Sequence, residues 1–281
     1  MSKGNIDIKT VNGFGDEWSR FDQSALSDEE LLNRFEEYFS VFPWEDLSSD
    51  SIGFDVGCGS GRWAKLMAPR VGLLHCIDPS SALDMAKKNL KNLSNCLFYR
   101  LDIDSLPMHD NSMDFGYSLG VLHHVPNTSE ALNKCVEKLK PGAPFLVYLY
   151  YAFDNRPLWF RFVWMGSNFL RFFIAKLPFP LKYLISQFIA VIVYWPLTRF
   201  ALMIEKFGYN VDNIPLTYYR RYSFYSMRTD ALDRFGTRLE HRHTKEQIRD
   251  MMQDSGLENI VFSPAAPYWC AMGYKKTNTN Q

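Results

Sequence analysis

Several features that would narrow the possibilities quickly are missing from this 281-residue chain. Neither sign of charge prevails: 31 Lys and Arg stand against 31 Asp and Glu, so the overall balance supports no long-range attraction to nucleic acid or anionic lipid. The cysteines, Cys58, Cys76, Cys96, Cys135 and Cys270, are odd in number, scattered, and include no C-x-x-C pair. Neither a disulfide framework nor a zinc site is expected, and no metal site is predicted; a reducing compartment fits this usage. The first residues, MSKGNIDIKTVNGFGDEW, lack the apolar stretch of a secretory signal, which makes the expectation intracellular, and cytoplasmic in particular. Long apolar runs are also scarce. The longest uncharged one, Tyr183 to Thr198, has 16 residues and includes Ser186, Gln187 and Pro196. It falls short of the roughly 20 residues a spanning helix needs, so a buried or interfacial helix is predicted there.

What is present is ample core material, 47% hydrophobic and 16% aromatic, and an uneven distribution of charge. Residues 1–150 carry 14 basic and 21 acidic side chains, a net of −7, and residues 151–281 carry 17 and 10, a net of +7. Such asymmetry suggests that the two halves do different jobs. Residues 1–50 read as an N-terminal helical lid: Ser27-Asp28-Glu29-Glu30 is a capping box that opens a helix over about 28–40, and Phe14, Trp18 and Phe21 precede it. Between 51 and 151, short apolar runs alternate with helical patterns: strands at 52–56, 72–77, 97–101, 115–119 and 144–151, helices at 62–68, 82–89 and 129–139. That alternation implies βαβ units and a doubly wound parallel sheet. Residues 152–225 break the rhythm and read as an aromatic, helical, mainly basic cap. The α/β pattern returns over 226–275, with a helix capped by Thr244 and Gln247 and two closing strands at 259–262 and 269–274, before a polar tail at 276–281.

The densest local pattern is Ile52-Gly53-Phe54-Asp55-Val56-Gly57-Cys58-Gly59-Ser60-Gly61, a buried strand ending in an acid and then a loop with alternate glycines. Glycines allow sharp turns and let a ligand approach the backbone closely. A dinucleotide fingerprint, G-x-G-x-x-G, would need glycine at position 62, where this chain has Arg62. With no pyrophosphate to hold, Asp55 is suited to receive an ammonium group. Asp78, at the end of the second strand, is placed to accept from ribose hydroxyls. Asp102, after the third strand, can accept from an exocyclic amine.

Three such acids, each at a strand's carboxyl end, resemble the class I S-adenosylmethionine-dependent methyltransferases, in the subgroup similar to ubiquinone/menaquinone-biosynthesis (type 11) methyltransferases. The carrying residues are DVGCGSG at 55–61, Cys76-Ile77-Asp78-Pro79-Ser80, LDIDSLPMHDNSMDFGYSLGVLHHV at 101–125, and Lys140-Pro141-Gly142 before a strand. The resemblance implies an α/β fold with a doubly wound, seven-stranded, mostly parallel Rossmann-like sheet whose last strand is antiparallel, here with an inserted helical cap at 152–225. It also implies S-adenosyl-L-methionine as cofactor, bound by Asp55, Gly57, Cys58, Gly59, Asp78, Asp102, Ile103 and Leu119.

On the acceptor side, His123 is the candidate general base, because it follows the fourth strand at the edge where the reactive methyl would lie. Trp18, His124, Tyr219 and Arg228 are candidate substrate residues. Tyr219 belongs to Tyr218-Tyr219-Arg220-Arg221-Tyr222, a mixture of phenols and cations suited to an anionic group. The predicted activity is methyl transfer to an O, N or C nucleophile of a small, apolar or anionic acceptor. No nucleic-acid partner is predicted, and a peripheral membrane contact through 156–206 stays open. Two other classes stay open as well: a membrane-associated binding or scaffold protein of methyltransferase-like fold without catalysis, and an NAD(P)-binding oxidoreductase. The oligomeric state cannot be read.

Overall fold

The computed structural model describes residues 4–23 and 25–277; residues 278–281 of the expected tail lie outside the described residues. Seven strands form one sheet: β1 (Ile52–Val56), β2 (Leu73–Ile77), β3 (Cys96–Tyr99), β4 (Phe115–Leu119), β5 (Pro144–Tyr148), β6 (Leu257–Phe262) and β7 (Cys270–Lys275), in the order β3-β2-β1-β4-β5-β7-β6. The first five pair in parallel. β7 runs antiparallel to both of its neighbours. β4 is buried along its whole length, and β1 and β5 along four of their five residues, as expected of central strands covered on both faces. The order reverses between β1 and β4, and ligands of doubly wound sheets bind outside the carboxyl ends at such a switch point.

Ten helices lie among the described residues, and α3 (Ala64–Met67), α4 (Ala82–Asn89) and α5 (Thr128–Lys138) make the crossovers of the parallel part. The helix expected over 62–68 is shorter. α3 yields to a 3₁₀ turn at Ala68–Arg70, because Pro69 has no amide hydrogen to continue the ladder. α10 (Lys245–Asp254) opens on the expected capping box, with Thr244 and Gln247 each bonded to the other's backbone. β5 ends at Tyr148 rather than 151; beyond it, Tyr151 makes an isolated bridge to His243.

The chain forms two compact units. One comprises residues up to Ser19, Leu31–Ala152 and from Leu239 onward; the other comprises Arg20–Glu30 and Phe153–Arg238. The expected boundaries shift accordingly. The 1–50 segment is not one lid: α1 (Ile8–Arg20), a helix the sequence reading did not assign, lies almost wholly in the α/β unit, and α2 (Asp28–Tyr38) is divided between the units. The helical unit also extends past 225 to Arg238, because α9 (Phe224–Gly236) supplies Met227, Ala231 and Phe235 to a core shared with Ile174, Ala190 and Tyr194.

That unit further contains α6 (Leu158–Ile174), α7 (Phe179–Ile189) and α8 (Trp195–Lys206), the last two joined by a π-helical turn at Ala190–Tyr194. The result is one continuous helix, Phe179–Lys206, of 28 residues. Its length and composition would suffice to cross a membrane, although the uncharged run inside it has only 16 residues. The difference lies in the flanking charges. Lys182 is buried with its ammonium on the Gly236 carbonyl, and Arg199 donates to the Tyr222 carbonyl, so neither interrupts the outer apolar face.

Candidate functional site

β1 delivers Asp55 to the carboxyl edge of the sheet, and the chain then turns through Gly57, Cys58 and Gly59. The amides of Gly57 and Cys58 both donate to the Ile77 carbonyl, at 2.7 and 3.1 Å, which fastens the loop to β2. Gly57 has φ +79°, and a Cβ there would lie 2.3 Å from the Val121 side chain. Left-handed backbone and close approach together leave room only for glycine. Asp78 holds the next turn: one oxygen accepts the Gly59 amide at 2.9 Å, the other the Ser80 amide at 2.8 Å and its hydroxyl at 2.6 Å. A carboxylate offers about four lone-pair directions, so Asp78 is fixed in orientation and retains capacity for ligand hydroxyls.

Asp55 differs. It is 1% exposed and its Oδ2 has no hydrogen-bond partner. Burial raises the carboxyl to about 8, opposed by the Tyr117 phenol and reinforced by the charge of Asp78. A buried acid at a ligand loop, with one oxygen unpartnered, is costly to ionise unless a cation arrives. Beside it, a hydrogen bond with the Cys76 thiol favours the Cys58 thiolate, but burial and the two nearby carboxyls outweigh it and push Cys58 up to about 11. Cys58 is a packed thiol, not a nucleophile. At the third strand, half-buried Asp102 caps the 3₁₀ turn Ile103–Ser105 through Oδ1, which accepts the Asp104 amide at 3.1 Å, and Ile103 is buried behind it. Leu119 is buried at the end of β4.

The first helix spans this edge. Gly15 lies on Ser81 so closely that a Cβ would meet its hydroxyl at 2.4 Å, and a Cβ on Gly59 would meet the Trp18 ring at 3.4 Å. Arg62 lies over the other side of the Trp18 indole, 5.5 Å from its centre. Trp18 therefore sits against the glycine loop. One turn earlier, Phe14 packs on His124 with ring centres 4.9 Å apart.

The two histidines follow Val121, which touches Gly57, so they adjoin the loop. His123 is fully buried and stacks on Tyr150 at 3.9 Å. Its Nδ1 accepts the Tyr150 amide at 3.3 Å, which assigns the proton to Nε2. Burial, then the proximity of His124 and Arg242, keeps its pKa well below the ordinary imidazole value. His123 is thus placed as an N–H donor rather than as the expected base. His124 has the opposite tautomer: Nδ1 lies 2.7 Å from the Leu239 carbonyl, an acceptor only, so its lone pair is on Nε2.

A neighbouring segment escaped the sequence reading. His241 donates its amide to the His123 carbonyl at 2.9 Å, and His243 donates its amide to the Tyr150 carbonyl at 2.9 Å. Between them, Arg242 pairs with the nearly inaccessible Glu240 carboxylate at 2.6 Å and lies 5.1 Å from the Tyr150 ring centre. Burial, with His241 nearby, lowers His243 to about 4. The alternation Leu239-Glu240-His241-Arg242-His243 was the available signal, but it lies 115 residues from His124 and only the fold joins them.

Tyr219 and Arg228 belong to the helical unit. Arg228 donates to Gln187 Oε1 at 2.5 Å and to the Tyr183 hydroxyl at 3.1 Å; Tyr219 packs on Tyr194 and Tyr218. At the Tyr218–Tyr222 cluster both arginines share one acid. Arg220 grips Glu205 with two bonds, at 3.0 and 2.7 Å, and Arg221 adds a third at 3.0 Å. Hydrogen bonding to Arg220, more than offsetting desolvation, pulls Glu205 down to about 2. Both cations are already committed to an internal partner.

A family profile described as a methyltransferase domain matches residues 54–147, from the second half of β1 to the end of β5. Residues 54–147 belong to this methyltransferase-domain family. Similar curated proteins include phosphoethanolamine N-methyltransferase 2 of Caenorhabditis elegans, 29% identical over 109 residues (37% of this chain, 25% of that protein). The ubiquinone biosynthesis O-methyltransferase of Alkalilimnicola ehrlichii is 29% identical over 125 residues (43% of this chain, 49% of that one). The chain spans between a quarter and about half the length of these relatives. Among solved structures, a methyltransferase in complex with the Trm112 activator from Haloferax volcanii superposes with a TM-score of 0.55 at 14% identity, covering 95% of this chain and 99% of that one. At that identity the likeness concerns the methyltransferase fold alone. The site residues fit the cofactor: a loop with glycine at alternate positions, a buried carboxyl with one unpartnered oxygen for an ammonium, and an oriented acid at the end of β2 for vicinal hydroxyls.

Proposed function

We propose that this chain is an S-adenosylmethionine-dependent enzyme that moves a methyl group to an O, N or C nucleophile of a small apolar or anionic molecule. The observation that carries the reading is Asp55 Oδ2, a fully buried acceptor without a partner beside the Gly57–Gly59 loop. S-adenosylmethionine supplies an electrophilic methyl on a sulfonium. The chain's part is to bind and align. Asp55 with the loop holds the amino-acid end, Asp78 orients the hydroxyls, Asp102 and Ile103 take the base, and Trp18 covers the loop.

On the acceptor side, His123 Nε2–H is a fixed donor to an acceptor oxygen, and His124 Nε2 is the atom able to take its proton. Neutral His123 and His243 keep the neighbourhood free of added positive charge. Much of the acceleration then comes from alignment, since a well-oriented pair avoids most of the entropic cost of encounter. Five buried free cysteines support a cytoplasmic location. The basic residues of 156–206 are interleaved with apolar ones, which supports contact with a lipid surface over nucleic acid.

Titration calorimetry with S-adenosylhomocysteine is expected to give micromolar binding for the wild type and at least tenfold weaker binding for Asp78→Ala. No binding by the wild type, with binding of NAD(P) instead, overturns the reading. Incubation of a metabolite extract with isotopically labelled S-adenosylmethionine then identifies the product that gains the label.

A further inference from the structure

Around its small apolar core, the helical unit leaves the outer faces of two helices apolar. On α6, Arg161, Asn168 and Arg171 turn inward: Arg161 donates to the carbonyls of Phe153 and Asp154, and Arg171 bonds to Asn168 and to the Thr237 carbonyl. Its outward residues are Phe162, Phe169 and Phe173, of which Phe162 is 68% exposed. The continuous helix repeats the pattern. Ser186 and Thr198 are fully buried, whereas Leu184, Phe188 and Trp195 are exposed by half or more. Polar side chains facing the body and phenylalanines facing out invert the arrangement water imposes on a surface helix.

Charge points to one kind of occupant. Phe153–Arg238 holds 12 basic and five acidic side chains, a net of +7, and exposed Lys176 and Lys206 stand at the two ends of the long helix. An apolar face with an exposed lysine at each end of its long helix matches the hydrocarbon and headgroups of an anionic bilayer leaflet. The orientation is also fixed. Lys182, Gln187 and Thr198 bond to the Gly236 carbonyl, Arg228 and the Met227 sulfur respectively, so α9 is held against the Lys182–Thr198 stretch of the helix. Threading that helix across a bilayer would carry Arg228 and its partners into hydrocarbon.

We infer that the outer faces of α6 and of Phe179–Lys206 form a monotopic docking surface for an anionic membrane leaflet, with both helices lying in the plane of the interface. This concerns the helical unit alone and stands apart from methyl transfer. The full chain is expected to float with phosphatidylcholine vesicles containing 30% phosphatidylglycerol, and at least tenfold less with phosphatidylcholine alone. The triple variant Phe162→Glu, Phe169→Glu, Phe188→Glu should lose flotation by at least tenfold, and Leu97→Glu, on β3, should float as the wild type does. Circular dichroism and S-adenosylhomocysteine titration report whether each variant is folded. Brominated lipid provides a second measurement: it should quench wild-type fluorescence, and the conservative pair Trp159→Phe and Trp195→Phe should remove most of that quenching. A wild type that stays with neither vesicle, or one that sediments as a dimer made monomeric by the triple substitution without any flotation, overturns the inference.

Discussion

Asp55 makes the domain's ligand binding a proton-linked event. In the free protein its carboxyl titrates near 8 instead of 3.8, so at pH 7 only about a tenth of it is ionised. An ammonium placed against Oδ2 favours the carboxylate. Binding S-adenosylhomocysteine at pH 7 should therefore release about nine-tenths of a proton, and progressively less as pH rises through 8, where Asp55 ionises on its own. Calorimetry in buffers of different ionisation enthalpy measures this directly. Stability carries the same linkage with a definite sign. Between the unfolded value near 3.8 and the folded value near 8 the native state binds the extra proton, so stability falls as pH rises, by up to about 1.4 kcal/mol per pH unit. Asp55→Asn removes the titration while keeping shape. Its stability relative to the wild type should climb from pH 5 to 8 in urea denaturation and level off above, while its affinity for S-adenosylhomocysteine drops by about 10- to 100-fold, as expected for a lost charged hydrogen bond. Binding without proton release, or a stability difference that ignores pH, would refute the reasoning.

Gly57→Ala should lower stability by at least about 2 kcal/mol, since the left-handed backbone costs about 1–2 kcal/mol and the new methyl would lie 2.3 Å from Val121; thermal melting checks it. His123 and His243 have folded pKa values below the unfolded 6.5, so each stabilises at neutral pH and that contribution should be lost as pH falls from about 6.5 toward 4. His243→Gln should flatten the acid limb of the stability profile by about 1–2 kcal/mol, less than full linkage because the residue is only partly buried. His124→Gln should lower kcat by about 10²-fold with little change in KM, the size expected of a general base; an equal loss in His123→Gln would reverse the assignment. Trp18→Ala should weaken S-adenosylhomocysteine binding by about tenfold and leave acceptor KM nearly unchanged, because the indole lies on Gly59.

The sequence by itself determined the α/β core and the cofactor edge. Strands such as Ile52–Val56 and Phe115–Leu119 are short apolar runs whose period and punctuation are local, and alternate glycines after an acid state a backbone requirement directly. The boundary errors have local causes too, such as Pro69 cutting the third helix. Only the tertiary structure could decide the tautomers of His123 and His124, since each depends on a backbone partner from a different strand or loop. The same holds for Glu240–His243, which distance in sequence separates from the histidines they adjoin, and for Arg220 and Arg221, whose charges are claimed by Glu205. It decided the meaning of the aromatic half as well. A helical wheel gives Arg161, Asn168 and Arg171 one side of α6, but it does not say which side faces inward. The polar side does, because the carbonyls of Phe153, Asp154 and Thr237 satisfy the two arginines, and the phenylalanines are left outside.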